Sequence, residues 1–133
     1  AILKIAFGLK RIIWAYGHDP EDGTTGHIDG TARFISRDTL VVADYYQSQT
    51  ERDLAVAAKQ AGLKVVRYPG DPNWLVGNGF VAAMAEGDAA RDAKLKRALQ
   101  NIWPGRNIYM IDARAIAEGG GGIHCVTNDA PVF

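Results

Sequence analysis

The pattern of apolar and polar residues along the chain predicts short strands that alternate with helices. Apolar residues at helical spacing indicate a helix at the beginning of the chain, which Gly8 would end, and two longer helices. The first long helix begins at Ser48, which has capping-box spacing to Glu51, and the second begins after Asp88. This order of elements indicates an α/β fold. Apolar runs predict strands over residues 11–16, 27–36, 39–44, 63–68, 79–84 and 107–112.

Two strand–helix–strand units recur about forty residues apart, over 39–68 and 79–112. A period of this size is typical of repeated modules. Strand–helix–strand units also recur in a generic α/β domain, in which no repeat is present. Periodicity alone leaves both interpretations open.

Composition is that of a folded globular protein. The 133 residues suit one domain, with 47% hydrophobic and 23% charged residues. The 15 basic and 15 acidic residues cancel, so we expect neither a nucleic acid nor a membrane surface as a partner. A single cysteine excludes an internal disulfide, and no signal peptide or membrane span is evident. We therefore expect a cytoplasmic protein, although the chain begins inside a predicted helix and residues are expected upstream of it.

His27 and Asp29 are the first candidates for chemistry. Two residues apart in a strand, they would point to the same face and place an imidazole beside a carboxylate. They follow a segment rich in Gly, Pro, Asp and Thr, residues 17–26, which predicts a loop. The alternative is a solvent-exposed strand end without function.

Cys125 follows four consecutive glycines, Gly119–Gly122. Glycines allow close backbone approach and leave N–H donors that stabilise a thiolate or a developing charge. In an extended segment the adjacent His124 would point away from Cys125, so His27 is its predicted imidazole partner. A cysteine, a histidine and a carboxylate suit nucleophilic catalysis. The alternative is a cysteine that packs as a small hydrophobic residue.

No metal or other cofactor is predicted. His18, His27, His124 and Cys125 lack the paired spacing of zinc sites. The glycine run lacks the Lys-Ser/Thr of a phosphate-binding loop, and it is not the GxGxxG of a dinucleotide-binding fold.

The segments DGTTGHIDGTARF (22–34) and IDARAIAEGGGGIHCVTNDAP (111–131) resemble the family of agmatine deiminases and bacterial, Porphyromonas-type peptidylarginine deiminases, in the pentein superfamily. The resemblance extends over nearly the whole chain but only to the later half of the family's enzymes. It implies an α/β fold in which residues 1–133 form one domain, the C-terminal part of a pentein-type deiminase. This domain would be a partial pentein, or β/α propeller, with about two of the five ββαβ-type modules.

The resemblance also implies an activity, the deimination of agmatine or a related guanidino compound without a cofactor. Cys125 would attack the guanidinium carbon and form a covalent thiouronium intermediate. His27 would act as general acid and base, and Asp29 would hold the guanidinium nitrogens, since a carboxylate accepts paired N–H bonds. The products would be ammonia and a ureido compound.

Four further residues are candidates for substrate binding. Asp22 could face the mouth of the pocket, although an aspartate in such a loop more often caps a turn. Trp74 could stack on a cation, although a loop tryptophan more often packs against its own module. Gly121 and Gly122 would let the backbone lie against a flat guanidinium group.

The chain departs from the family in lacking the second guanidinium-binding carboxylate, which the family's enzymes carry in their early half. It could be a deiminase in which another subunit supplies this carboxylate or in which the carboxylate is dispensable. It could also be a truncated, non-catalytic homologue that binds a guanidinium ligand or a protein. A third possibility, a binding or structural domain that never had the activity, is disfavoured by the intact trio of Cys125, His27 and Asp29. Besides a guanidino substrate, the expected partner is a second copy of the chain or a missing N-terminal segment.

Overall fold

Two units with the same order of elements, ββαβ, make up most of the structure. The structure is a computed structural model, and it describes residues 2–17, 24, 26–128 and 130. A short helix and then one turn of 3-10 helix, at Ile28–Gly30, precede the first unit. Another short helix follows the second unit. The elements are α1 (Ile2–Ala6), β1 (Ala32–Phe34), β2 (Thr39–Ala43), α2 (Gln49–Gln60), β3 (Lys64–Tyr68), β4 (Leu75–Gly77), β5 (Phe80–Ala85), α3 (Ala89–Ile102), β6 (Asn107–Asp112) and α4 (Arg114–Glu118).

Each unit contains a three-stranded mixed sheet. In the first, β2 pairs antiparallel with β1 and parallel with β3, and α2 makes the crossover between the parallel strands. In the second, β5 pairs in the same way with β4 and β6, across α3. Corresponding elements lie about forty residues apart, which confirms the predicted recurrence and the mixed α/β class.

The two long helices begin where the sequence predicts. Ser48 Oγ accepts the backbone N–H of Glu51, and the Glu51 carboxylate accepts the backbone N–H groups of Ser48 and Tyr46, so the capping box is complete. Asp88 caps α3 by accepting the Arg91 N–H at 2.7 Å. These bonds satisfy donors that the first turn of a helix leaves unpaired.

The main apolar core is shared by the two units. Apolar residues of the first sheet meet α3 and the second sheet there, while α2 covers the outer side of the first sheet. The shared core contains Val41, Tyr68, Trp74, Val81, Ala83, Leu95, Leu99 and Ile108.

Two predictions about the elements are wrong, and two short elements are missed. Residues 11–16 have no regular secondary structure, since only Ile13 and Ala15 pack against the core below α2 while the Trp14 side chain is 74% exposed. The strand predicted over 27–36 is reduced to β1, because a Thr31 N–H to Ile28 carbonyl bond of 3.0 Å closes the 3-10 turn before it. Two short elements, β4 and α4, were not predicted, because three and five residues carry no clear periodicity.

In the part of the chain that the structure describes, no helix combines the length and the apolar character that crossing a membrane requires. The longest, α3, has 14 residues.

Candidate functional site

A cavity of about 980 Å³ lies where three separate segments meet. The 3-10 turn supplies Asp29, the loop between β3 and β4 supplies Asp71 and Asn73, and the turn after the glycine run supplies Cys125. His27 also lines the cavity. The loop follows the carboxyl end of a parallel strand, which is where sites in open α/β sheets commonly lie.

One oxygen of Asp29 receives contacts from three side chains. Oδ2 lies 2.8 Å from His124 Nδ1, 3.2 Å from Asn73 Nδ2 and 3.3 Å from Cys125 Sγ. We call these four residues the Asp29 cluster. Burial by itself would raise the pKa of Asp29, but the hydrogen bonds from His124 and Cys125 and the charge on His124 outweigh it and lower that pKa. The carboxyl group is therefore an anion at neutral pH.

Asn73 joins the members of this cluster through its buried side-chain amide. Its Oδ1 accepts the backbone N–H groups of His124 at 2.9 Å and Cys125 at 3.3 Å. Its Nδ2 donates to Asp29 Oδ2 and, at 3.0 Å, to Cys125 Sγ. The Asp71 carboxylate accepts the Asn73 backbone N–H at 2.8 Å, which orients the loop. One amide thus holds both the backbone and the sulfur of Cys125.

Sequence reasoning missed Asn73. The only signal for it was its position, in a loop directly after the predicted strand 63–68.

The glycines before Cys125 differ in their surroundings. Gly122 lies so close to Asn73 that a Cβ atom there would be 2.6 Å from the amide carbon and closer still to Oδ1. At Gly121 a Cβ atom would meet the Cys125 Cβ at an ordinary 3.5 Å. The close backbone approach that Gly122 permits is therefore to the Asn73 side chain.

The prediction for His124 is wrong. Residues 123–126 form a turn and not an extended segment, so His124 and Cys125 point to the same carboxylate oxygen. Within the described part of the chain, Cys125 Sγ contacts Asp29 and Asn73 rather than His27. The 3-10 turn also replaces the strand that was to place His27 and Asp29 on one face, although both line the cavity.

The remaining predicted site residues have different positions. Trp74 is fully buried, and its ring packs edge to face against Tyr68 at 4.8 Å. It cannot stack on a ligand in the cavity, so the structure corrects that prediction in favour of core packing. Gly121 lines the cavity, whereas Asp22 lies outside the described residues.

Metal ligation has no candidate among the described residues, where no group of three or more His, Cys, Asp or Glu side chains is arranged to hold an ion. The polar side chains of the Asp29 cluster are hydrogen-bond partners of one another.

Comparison with known proteins gives the site its context. A family model for Porphyromonas-type peptidyl-arginine deiminase matches residues 1–131. A Streptomyces coelicolor relative, whose name places it among the agmatine deiminases, is 31% identical in an alignment 135 positions long, which covers 82% of this chain and 40% of the relative. This chain spans about two fifths of the length of the curated relatives that it matches across most of its own length.

Solved structures share the fold. The agmatine deiminase of C. jejuni aligns over 93% of this chain and 43% of its own, with a TM-score of 0.77 and 24% identity. That of Enterococcus faecalis aligns over 88% and 43%, with a TM-score of 0.73 and 19% identity. The resemblance noted from the motifs is confirmed, and because the family model matches all but the last two residues, this chain belongs to the Porphyromonas-type peptidyl-arginine deiminase family.

Proposed function

We propose that this chain carries the nucleophile of a guanidine-modifying hydrolase that deiminates agmatine or a related guanidino compound. The observation that carries the proposal is the contact of Cys125 Sγ with Asp29 Oδ2, 3.3 Å apart, beside a cavity that His27 also lines. A nucleophile and an anion that lie together suit a substrate whose reacting carbon is the centre of a planar cation.

The reaction proceeds in two halves. The Cys125 thiolate adds to the guanidinium carbon while Asp29 accepts hydrogen bonds from the guanidinium nitrogens. His27 gives a proton to the departing nitrogen, the C–N bond breaks, and ammonia leaves a covalent thiouronium. Water, which passes a proton to His27, then attacks that carbon. The C–S bond breaks as the remaining hydroxyl proton passes to solvent, so that the neutral ureido product forms and the thiolate returns.

Asn73 supports the nucleophile in this proposal. Its Nδ2–H donor lies 3.0 Å from Cys125 Sγ, and a donor at that distance stabilises negative charge on sulfur. Its Oδ1 holds the Cys125 backbone, so the sulfur stays beside Asp29 while a substrate enters.

We further infer that the two ββαβ units are two of the five modules of a pentein fold, and that the chain self-associates. The shared order of elements and the coverage of about two fifths of the relatives support the first inference. The exposure of Ile2, Ile5, Phe7 and Trp14, each more than 70% exposed, supports the second inference.

Light scattering tests self-association and should detect dimers or larger species. Ile5→Glu should reduce them, whereas Lys4→Glu on the same helix should not. A monomer at high protein concentration contradicts self-association.

The activity is tested first through the thiol. A haloacetamidine, which carries a planar cation, should alkylate Cys125 faster than neutral iodoacetamide does, as followed by intact mass. The preference should disappear in Asp29→Asn, and the rate should fall in His27→Ala. Asp53→Asn, which removes an exposed carboxylate on α2, is the matched control. Equal rates for the two reagents in the unchanged chain would show that Cys125 is an ordinary thiol. Release of ammonia from agmatine is measured next.

A further inference from the structure

His124 holds a position that the proposed reaction does not use. Its ring Nδ1 lies 2.8 Å from Asp29 Oδ2, and its backbone N–H donates to Asn73 Oδ1. The ring is therefore held at Nδ1 and the backbone at its N–H, while the side chain remains 40% exposed and accessible to solvent protons. It contacts the carboxylate that the proposed function assigns to the guanidinium.

We propose that His124 is a positioning residue for Asp29, and that its protonated ring competes with the guanidinium substrate for that carboxylate. The inference rests on the proposed function. With a proton on Nδ1 alone, the neutral ring donates one hydrogen bond and sets the rotation of the carboxylate. A second proton, on Nε2, adds a positive charge beside the same oxygen. The protonated His124 ring and the guanidinium then compete for the Asp29 carboxylate. Protonation of the ring and binding of the guanidinium weaken each other by the same factor.

The other charged groups around the cavity do not make this contact. His27, Glu51, Asp71, Glu86 and Arg114 line it. The Glu51 carboxylate accepts backbone N–H groups at the start of α2. Arg114 forms a paired bond with Asp112, and Glu86 pairs with an arginine of α3. Among the described titratable side chains, His124 and Cys125 are the ones in hydrogen-bond contact with Asp29. His27 is a second imidazole at the cavity, so the test has to separate the two histidines.

The test uses His124→Asn, because the Asn Nδ2 occupies nearly the place of the His Nδ1 and donates without titrating. The measured quantity is the ratio of the Cys125 alkylation rates by a haloacetamidine and by iodoacetamide, from about pH 5.5 to about pH 8, the range in which an imidazole changes charge. Taking the ratio removes effects on the thiol that both reagents share. His124→Ala and His27→Asn are measured alongside.

The unchanged chain should lose its preference for the cationic reagent as the pH falls, by about tenfold, the low end of what one hydrogen bond to a charged group contributes. His124→Asn should keep the high ratio at every pH, because its amide still donates a hydrogen bond to Asp29 but takes up no proton. His124→Ala should show a low ratio at every pH, because Asp29 is no longer oriented. A merely structural role for His124 would lower both rates together and leave the pH profile of the ratio in place.

Two results would overturn the inference while leaving the proposed function intact. One is a preference that depends on Asp29 but has the same pH profile in the unchanged chain and in His124→Asn. The other is an acid loss that disappears in His27→Asn instead. A chain without any preference for the cation at any pH overturns the proposed function, and the competition with it.

Discussion

Gly122→Ala tests whether the glycine run serves the contact with Asn73. The substitution adds one methyl group, which would lie 2.6 Å from the Asn73 amide carbon and 2.9 Å from its Cβ. Ordinary contacts at such a Cβ begin near 3.4 Å, so the amide or the turn must move by close to 1 Å. Asn73 and Gly122 are both buried, which leaves little space for this movement.

The expected cost follows from the bonds that the movement breaks. The Asn73 amide makes four hydrogen bonds, of 2.9, 3.0, 3.2 and 3.3 Å. A shift of this size takes several of them beyond hydrogen-bond distance. With each bond contributing about 1 kcal/mol net and overpacking costing a similar amount, we expect a loss of about 2–3 kcal/mol in the free energy of unfolding. Gly121→Ala creates only an ordinary contact, so we expect it to be neutral, or to stabilise by up to about 1 kcal/mol through the unfolded chain.

Urea denaturation of both variants, with Cys125 alkylation as a second readout, makes the comparison. Gly122→Ala should unfold at a clearly lower urea concentration and lose its preference for a cationic alkylating reagent. The neighbouring Gly121→Ala controls for the general effect of alanine in this run. Equal urea midpoints and equal alkylation preferences in the two variants would refute the assignment of Gly122 to the Asn73 contact.

Three other predictions follow from the structure. Asn73→Asp removes the donor to Cys125 Sγ and places a second carboxylate against Asp29. Alkylation of Cys125 by a haloacetamidine should therefore slow by about tenfold or more, and an unchanged rate contradicts the role given to Asn73. Leu99→Ala empties a fully buried position and should cost about 2–5 kcal/mol, whereas Val56→Ala on the exposed side of α2 should cost under about 0.5 kcal/mol; similar urea midpoints would contradict this. Because the pKa of Asp29 lies below its unperturbed value of 3.8, its ionised form stabilises the fold above that pH, and the benefit is lost as Asp29 takes up a proton in stronger acid. The unchanged chain should therefore be more stable than Asp29→Asn near neutral pH and approach it below about pH 4, and a pH-independent difference contradicts this.

The helices and central strands could be predicted because their signals are local. The capping box of α2 and the Asp88 cap of α3 lie within four residues of sequence, and both form as expected. The strand predicted over 107–112 coincides with β6. The two helices therefore specify where they begin before any tertiary contact is made.

The failures have a different physical origin, since they depend on distant partners. Residues 11–16 are apolar enough for a strand, yet a strand needs a neighbour to pair with, and the structure assigns none to this segment. Trp74 lies in a loop, as the sequence predicts, but its ring packs in the core that both units share instead of stacking on a ligand. Asn73 itself carries no local motif, because its contacts with Asp29 and Cys125 form only where distant parts of the chain meet.

The candidate residues Cys125 and Asp29 lie 96 positions apart in sequence, and the structure brings them into contact. What the sequence could not show is the path of the chain just before the thiol. An extended backbone would turn His124 and Cys125 to opposite sides. Instead α4 ends at the first glycines, Gly120 has a φ of +81°, and the turn at 123–126 points both side chains at one carboxylate. A side chain at Gly120 would be strained in that conformation, and a side chain at Gly122 would displace Asn73. The glycines before Cys125 therefore make room for a turn and for an amide, and through them they place two neighbouring residues on the same anion.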